Sequence, residues 1–170
     1  TAGNFNETDT YIFSVDNSFP SVLAVNLTST DPLNRTNGTL QGFFSFSDND
    51  GDSINNETKW YNNTEEVAEL INYTSINSNY TSKHQNWTFS SRVSDGTNWS
   101  SWVNSTAIKI KNAKPELNIV NASFSVRETE TINISLNSSD IDNDILNYTI
   151  NSTFFSLNDK GKLSGHLFFS

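Results

Sequence analysis

Short runs of alternating apolar and polar residues recur along this chain. The clearest are Tyr11-Ile-Phe-Ser-Val15, Trp87-Thr-Phe-Ser-Ser-Arg-Val93, Ala107-Ile-Lys-Ile-Lys111 and Ile132-Asn-Ile-Ser-Leu136. Successive side chains of a strand point to opposite faces, so each run predicts a half-buried β-strand. Asp-Gly, Asn-Gly and Asn/Asp clusters lie between the runs, and these are the residues that tight turns favour. One stretch departs from the pattern. Thr64-Glu-Glu-Val-Ala-Glu-Leu70 predicts a helix of one or two turns, with Thr64 as N-cap and Glu65 and Glu66 in the first turn. Many short strands separated by turn residues predict an all-β fold of sandwich type.

The polar faces of these strands carry a second pattern. In residues 132–136 the apolar side chains share one face, while Asn133, Ser135 and the following Asn137 share the other. Asn133 and Asn137 each begin an Asn-x-Ser/Thr triplet. The chain holds sixteen such triplets, starting at Asn6, Asn26, Asn34, Asn37, Asn56, Asn62, Asn72, Asn79, Asn86, Asn98, Asn104, Asn121, Asn133, Asn137, Asn147 and Asn151, and none has Pro in the middle. Each is a candidate N-glycan acceptor. Random placement of the 26 Asn and 43 Ser plus Thr among 170 residues gives about 7 triplets. The excess predicts a chain built to carry sugar, and therefore an extracellular or cell-surface location. Glycans are bulky and must point into solvent.

Hydrophobic residues make up 34% of the chain and charged residues 17%, so uncharged polar side chains fill the surface. Aromatic residues, at 12%, argue for folded cores over disorder. The net charge of −9 and the lack of any basic stretch argue against nucleic acid or an anionic membrane surface as partner. Cysteine is absent, so no disulfide framework holds the fold. Methionine is also absent, which implies that Thr1 is not the translated start. No apolar run approaches the length of a membrane span, and no signal-peptide pattern is present. A secretion signal or anchor is expected to lie outside this segment or to have been removed.

Two stretches carry a family resemblance. Residues 114–170 begin at Lys114-Pro115 and continue through the strand at Ile132, Ser139-Asp-Ile-Asp-Asn-Asp-Ile-Leu-Asn-Tyr-Thr-Ile150, Phe155-Ser-Leu157, a turn at Asn158-Asp-Lys-Gly161, and Leu163-Ser-Gly165. This order resembles the first part of a cadherin-like (dystroglycan-type) repeat of microbial surface proteins. Residues 20–113 resemble the Ig-like or PKD-like repeats found beside it, through Ser47-Asp-Asn-Asp-Gly-Asp52, Lys59-Trp-Tyr61, Arg92-Val-Ser-Asp-Gly96 and Trp99-Ser-Ser-Trp102. The resemblance implies two β-sandwich domains. It also implies a buried Trp60 and an archaeal cell-surface setting, given dense acceptors and no Cys. Residues 1–19 read like the last strand of a cadherin-like domain, the strand that 114–170 lacks. Joining residue 170 to residue 1 would complete one repeat.

Two assemblies follow as expectations. Either the chain is one unit of a covalent tandem array, or its N-terminal strand, with Tyr11, Ile12, Phe13 and Val15 as anchors, completes the sheet of another copy. Strand donation of this kind is head-to-tail and open-ended, and builds filaments. The expected function is thus a structural subunit of a glycosylated, pilus-like filament or surface array whose partners are copies of itself. The alternative is an adhesin or recognition module in a long surface protein.

Two acidic clusters, Asp48, Asp50, Asp52 and Asp140, Asp142, Asp144, offer the closely spaced oxygens that suit Ca²⁺. The first starts like an EF-hand loop but has Ser53 where Gly is required and Lys59 where the bidentate Glu belongs. Ca²⁺ near domain junctions is what the resemblance implies for the second, and turn residues are the alternative for both. His84 and His166 are the only histidines. No nucleophile elbow, phosphate loop or dinucleotide fingerprint is present, so no enzymatic activity is expected.

Overall fold

Thirteen short strands and two single-turn 3₁₀ segments account for the regular structure in the computed structural model, which describes residues 13–118 and 130–166. In the first region they are β1 (Ser21–Ser29), β2 (Leu40–Ser47), β3 (Asn55–Asn62), β4 (Glu65–Glu66), β5 (Ser75–Ile76), β6 (Asn86–Ser94), β7 (Val103–Asn104) and β8 (Ile108–Lys109). The second region adds β9 (Glu116–Asn118), β10 (Thr131–Ser135), β11 (Asn137–Ser139), β12 (Phe155–Leu157) and β13 (Lys162–His166). The fold is all-β, as the alternation predicts.

In the first region a sheet ordered β1-β2-β5 faces a sheet ordered β4-β3-β6-β7, with β8 also paired to β6. Every strand pair is antiparallel. The core between the sheets holds Val25, Leu40, Trp60, Leu70, Ile76, Trp87, Phe89 and Ile110. Trp60 and Phe89 are direct cross-strand partners, their rings 5.0 Å apart, and Trp87 meets Trp60 edge-on at 6.2 Å. Such aromatic pairs add to the effect of burial. Trp60 Nε1 donates to the Tyr73 carbonyl at 2.9 Å and Trp87 Nε1 to Gln85 Oε1 at 3.0 Å, so neither buried indole is left unsatisfied. Phe89 also dictates a glycine on the facing sheet: a Cβ on Gly42 would lie 2.4 Å from its ring.

The predicted strand faces hold for the tryptophan strand. Trp87, Phe89 and Val93 are buried while Asn86 is exposed. In β10, Ile132 is buried, whereas Asn133 and Ser135 are exposed. Ile108 and Ile110 turn inward while Lys109 and Lys111 turn outward.

Other expectations fail. Thr64–Leu70 is not an α-helix. Asn63 and Thr64 both have positive φ (49° and 78°) and form the two-residue turn of the β3–β4 hairpin, in which Asn62 pairs with Glu65. Positive φ at both central residues is the type I′ signature. Val67 then donates to the Trp60 carbonyl at 2.9 Å, and only Ala68–Leu70 coils, as a 3₁₀ turn that buries Leu70. Thr64 therefore caps nothing. The predicted strand at Tyr11–Val15 has Tyr11 and Ile12 outside the described residues, and Phe13–Val15 are in no strand. No ladder forms over 145–150 either. Tyr148 there is half-buried, its hydroxyl hydrogen-bonded to Ser138 Oγ and its ring over Gly161, where a Cβ would come within 2.9 Å.

The second region contains a two-stranded sheet, β9 with β11, and a three-stranded sheet ordered β10-β13-β12. Ile132 is its one fully buried apolar side chain among the described residues.

Candidate glycan acceptors, acidic loops and open apolar surface

Fourteen of the sixteen triplets begin at described residues, and Asn6 and Asn121 fall outside them. Of the fourteen, Asn34, Asn62 and Asn98 are half-buried and the remaining eleven are exposed. Exposure alone does not single them out, because the other described asparagines are exposed as well. The amide nitrogen is more discriminating. Two asparagines among the described residues donate from Nδ2 within the chain: Asn17, to Asp95 Oδ2 at 2.8 Å, and Asn112, to the Ala113 carbonyl at 2.9 Å. Neither is an acceptor. Where an acceptor side chain is used by the fold, it is through oxygen, as when Asn72 Oδ1 accepts from the Thr58 amide at 3.3 Å. No described acceptor donates a hydrogen bond from Nδ2 within the chain, although Asn62 is half-buried opposite Trp87 and its Oδ1 is buried.

The two acidic loops share one construction. Asp48 Oδ1 accepts the backbone amides of Asp50 and Gly51 at 3.0 Å and of Asp52 at 3.3 Å. Asp140 Oδ1 likewise accepts from Asp142 at 2.8 Å and Asp144 at 3.3 Å. In both, the first carboxylate winds the loop and gathers the other two, so that one oxygen from each lies within 4.8 Å of the others. In both, the second oxygen of that carboxylate, Asp48 Oδ2 or Asp140 Oδ2, is buried without a hydrogen-bond partner. An ionised oxygen left this way is costly unless a cation meets it, so the donor set fits a hard divalent ion.

The loops flank the first region. At its entry, the Ser18 amide donates to Asp50 Oδ2 at 2.5 Å. Asp95, on the neighbouring turn, is held below the usual carboxylate range by the Asn98 amide first, with Asn17 and Thr97 adding to it. At its exit, the Ala113 amide donates to Asp142 Oδ2 at 2.7 Å and Lys83 pairs with Asp144. The hydrogen bond from Lys83 is the main reason that the Asp144 carboxyl is held below its ordinary value. The sequence grouped each set of carboxylates but did not reveal that the first loop grips the incoming chain.

Sequence reasoning also missed a stack on the outer face of β6. Arg92 lies 4.3 Å from the Trp99 ring and 4.8 Å from the Trp102 ring, and Lys59 lies 4.9 Å from Trp102. Both tryptophans therefore lie against the outer face of this sheet. Their spacing of three and the outward position of Arg92 were the available signal. Cation–π contacts occupy these ring faces, and Asn98 and Asn104 flank them in sequence.

Of the anchors predicted for assembly, Phe13 and Val15 are 85% and 88% exposed, and Phe19 beyond them is 70% exposed. In the second region Leu117, Ile141, Ile145, Ile150 and Phe154 are exposed. A groove of about 420 Å³ runs along Leu117, Leu136, Ile145, Leu146 and Tyr148.

No family model, curated protein or solved structure gives a significant match to this chain. No described helix is long and apolar enough to cross a membrane.

Proposed function

We propose that this chain is a structural unit of a heavily N-glycosylated extracellular filament or surface array, built from two sandwich domains and joined head to tail to copies of itself. One observation carries the reading. Val15 and Phe19 are exposed and residues 14–20 lie in no strand, while the described part of the second region leaves an apolar groove and several large side chains open to water. Exposed apolar patches with complementary edges mark association sites, and an incoming strand would satisfy main-chain edge groups and side-chain pockets together. The acceptors, most of them exposed among the described residues, would keep such a polymer soluble and blunt sideways pairing of sheet edges. Ca²⁺ held by Asp48, Asp50 and Asp52 and by Asp140, Asp142 and Asp144 would bridge carboxylates to the segments entering and leaving the first region, and so stiffen the junctions.

The test is the polypeptide mass of native material after denaturation and chemical removal of glycans. A species near 19.0 kDa that assembles when native, and fails to do so as Val15→Asp, supports strand addition. A much heavier chain replaces strand addition with covalent tandem repeats. A monomer with no assembly sinks the structural reading altogether.

A further inference from the structure

Asn26 sits in the middle of β1, between Val25 and Leu27, which face the core. Its side chain is therefore on the outer face of the sheet, and its direct partner across the antiparallel ladder is Phe43 of β2. Both are exposed, Phe43 to 53%. Six other acceptors lie on strands, at Asn56, Asn62, Asn86, Asn104, Asn133 and Asn137. Their partners are either buried or polar side chains. Asn26 is the one described acceptor placed opposite an exposed aromatic ring.

The neighbours of Phe43 along β1 and β2 give no reason for a phenyl group there. Ala24, Thr28, Gln41 and Ser45, which share its face, are exposed and small or polar. Among the described residues β1 is an edge strand of its sheet. A half-exposed ring on a flat face beside such an edge invites pairing with another chain. Thr28, the hydroxyl residue of the Asn26 triplet, projects from the same face two residues on. Acceptor, hydroxyl and ring are thus presented together to solvent.

We propose that Phe43 is the seat for the first sugar of a glycan on Asn26, which makes this acceptor a structural one and covers the β1 edge. The inference rests on the glycosylation reading above. Attachment forms a bond from Asn26 Nδ2 to C1 of a sugar supplied by a phospholipid-linked donor. The C1–oxygen bond to phosphate breaks, the phosphate leaves with the electron pair, and the amide nitrogen gives up one proton. Directly opposed residues in an antiparallel pair have Cβ atoms about 4.5–5.5 Å apart, within the reach of one sugar ring. The C–H face of that ring is apolar and packs on a phenyl face as other aliphatic groups do.

The experiment uses protein made in an N-glycosylating host, with glycopeptide mass spectrometry and thermal melting of wild type, Phe43→Ala, Thr28→Ala and the double variant. Thr28→Ser keeps the acceptor and controls for packing of the threonine methyl. The expected result is sugar on Asn26 and a Tm loss of about 2–4 °C for Phe43→Ala, absent when Thr28→Ala has already removed the glycan. Sugar protons shifted upfield by the ring in NMR spectra, and lost in Phe43→Ala, would show the contact directly. Equal Tm losses in both backgrounds overturn the proposal while leaving glycosylation intact. So does a bare Asn26 on a chain whose other acceptors are occupied. A chain with no sugar at any acceptor overturns both this proposal and the reading beneath it.

Discussion

Residues 21–113 and residues 116–166 are both made of short antiparallel strands, yet they bury apolar side chains to very different degrees. The first region packs two sheets around Trp60, Trp87 and Phe89 and holds ten of the fully buried apolar residues described, from Val25 to Ala113. Among its described residues the second has Ile132 alone, and Ile145 is 91% exposed. Its described strands run three to five residues, whereas the four main strands of the first run eight or nine. Small units without disulfides have little hydrophobic burial to set against chain entropy, and this chain has no cysteine. The contrast teaches that strand content is a poor guide to self-sufficiency. The first region closes a core with its own side chains, whereas the described part of the second shows much less apolar burial.

The largest expected effect is a difference between two truncations. Trp60→Ala should destabilise the first region by about 3–5 kcal/mol, as large buried aromatics do. Ile132→Ala, in a site already partly open, should cost the second about 2 kcal/mol, the low end for a buried aliphatic. Differential scanning calorimetry of the unassembled chain should show two transitions, with each variant moving its own. A single transition displaced equally by both would mean that the two regions fold as one unit and that the contrast in burial has no energetic meaning.

Calcium should sharpen the same contrast. An ion bound at the Asp140 loop at about 100 times its Kd would stabilise the folded state by about 2.7 kcal/mol, and the second, weaker region should respond more. Asp140→Asn should abolish that response, and Asp48→Asn should affect only the first transition. Melting curves with Ca²⁺ and with a chelator decide the matter. If neither transition moves, the loops are hydrogen-bonded turns and their carboxylates have no metal to hold.

Acidification should act mainly on the first region. Asp31 is buried and takes Arg35 through two side-chain hydrogen bonds, at 2.7 and 3.0 Å, and through its backbone amide at 2.6 Å. The bonds from Arg35 hold its carboxyl near pH 2, down from 3.8. Because the folded-state value is the lower one, the unfolded chain binds the proton first as pH falls. The stabilisation is complete above the ordinary value and disappears as pH drops from about 4 to about 2. Asp31→Asn should flatten stability against pH across that window, and an unchanged slope would mean that the pair contributes nothing.

Much of the first region was legible because its strands are long and one-sided. The alternation at residues 87–93 named the inward face correctly, and the turn glycines Gly51, Gly96 and Gly161 all have positive φ. The acidic residues fell into two sets for an equally local reason, since one carboxylate winding a short loop needs no distant partner. What the sequence hid depends on distant contacts. Thr64–Leu70 reads as a short helix, but the Val67 amide is bonded to the Trp60 carbonyl and Leu70 is drawn into the core. The segment at 145–150 has strand composition but finds no ladder. The facing of Asn26 and Phe43 depends on the β1–β2 register, which a bulge between Val22 and Ala24 shifts and which no local pattern announces.

The smallest expected effect also ties the fold to the glycans. The β3–β4 turn places Thr64 at φ 78°, a conformation that suits glycine and strains a β-branched residue. Asn-Gly is the pair such a turn favours, yet this chain has Asn-Thr. The fold gives no reason for the threonine, whose side chain is exposed. The triplet Asn62-Asn63-Thr64 does give one, because its third residue must carry a hydroxyl. Thr64→Gly should therefore stabilise the first region by about 1 kcal/mol through relief of backbone strain, while Asn62 loses its sugar. Thr64→Ser should keep the sugar and recover little stability. If Thr64→Gly is neutral or destabilising in protein without glycans, the turn does not strain the threonine and the acceptor need not explain it. If Thr64→Gly stabilises and Asn62 is occupied in the wild type, this turn keeps a residue unfavourable to its own folding for the sake of the sugar it enables.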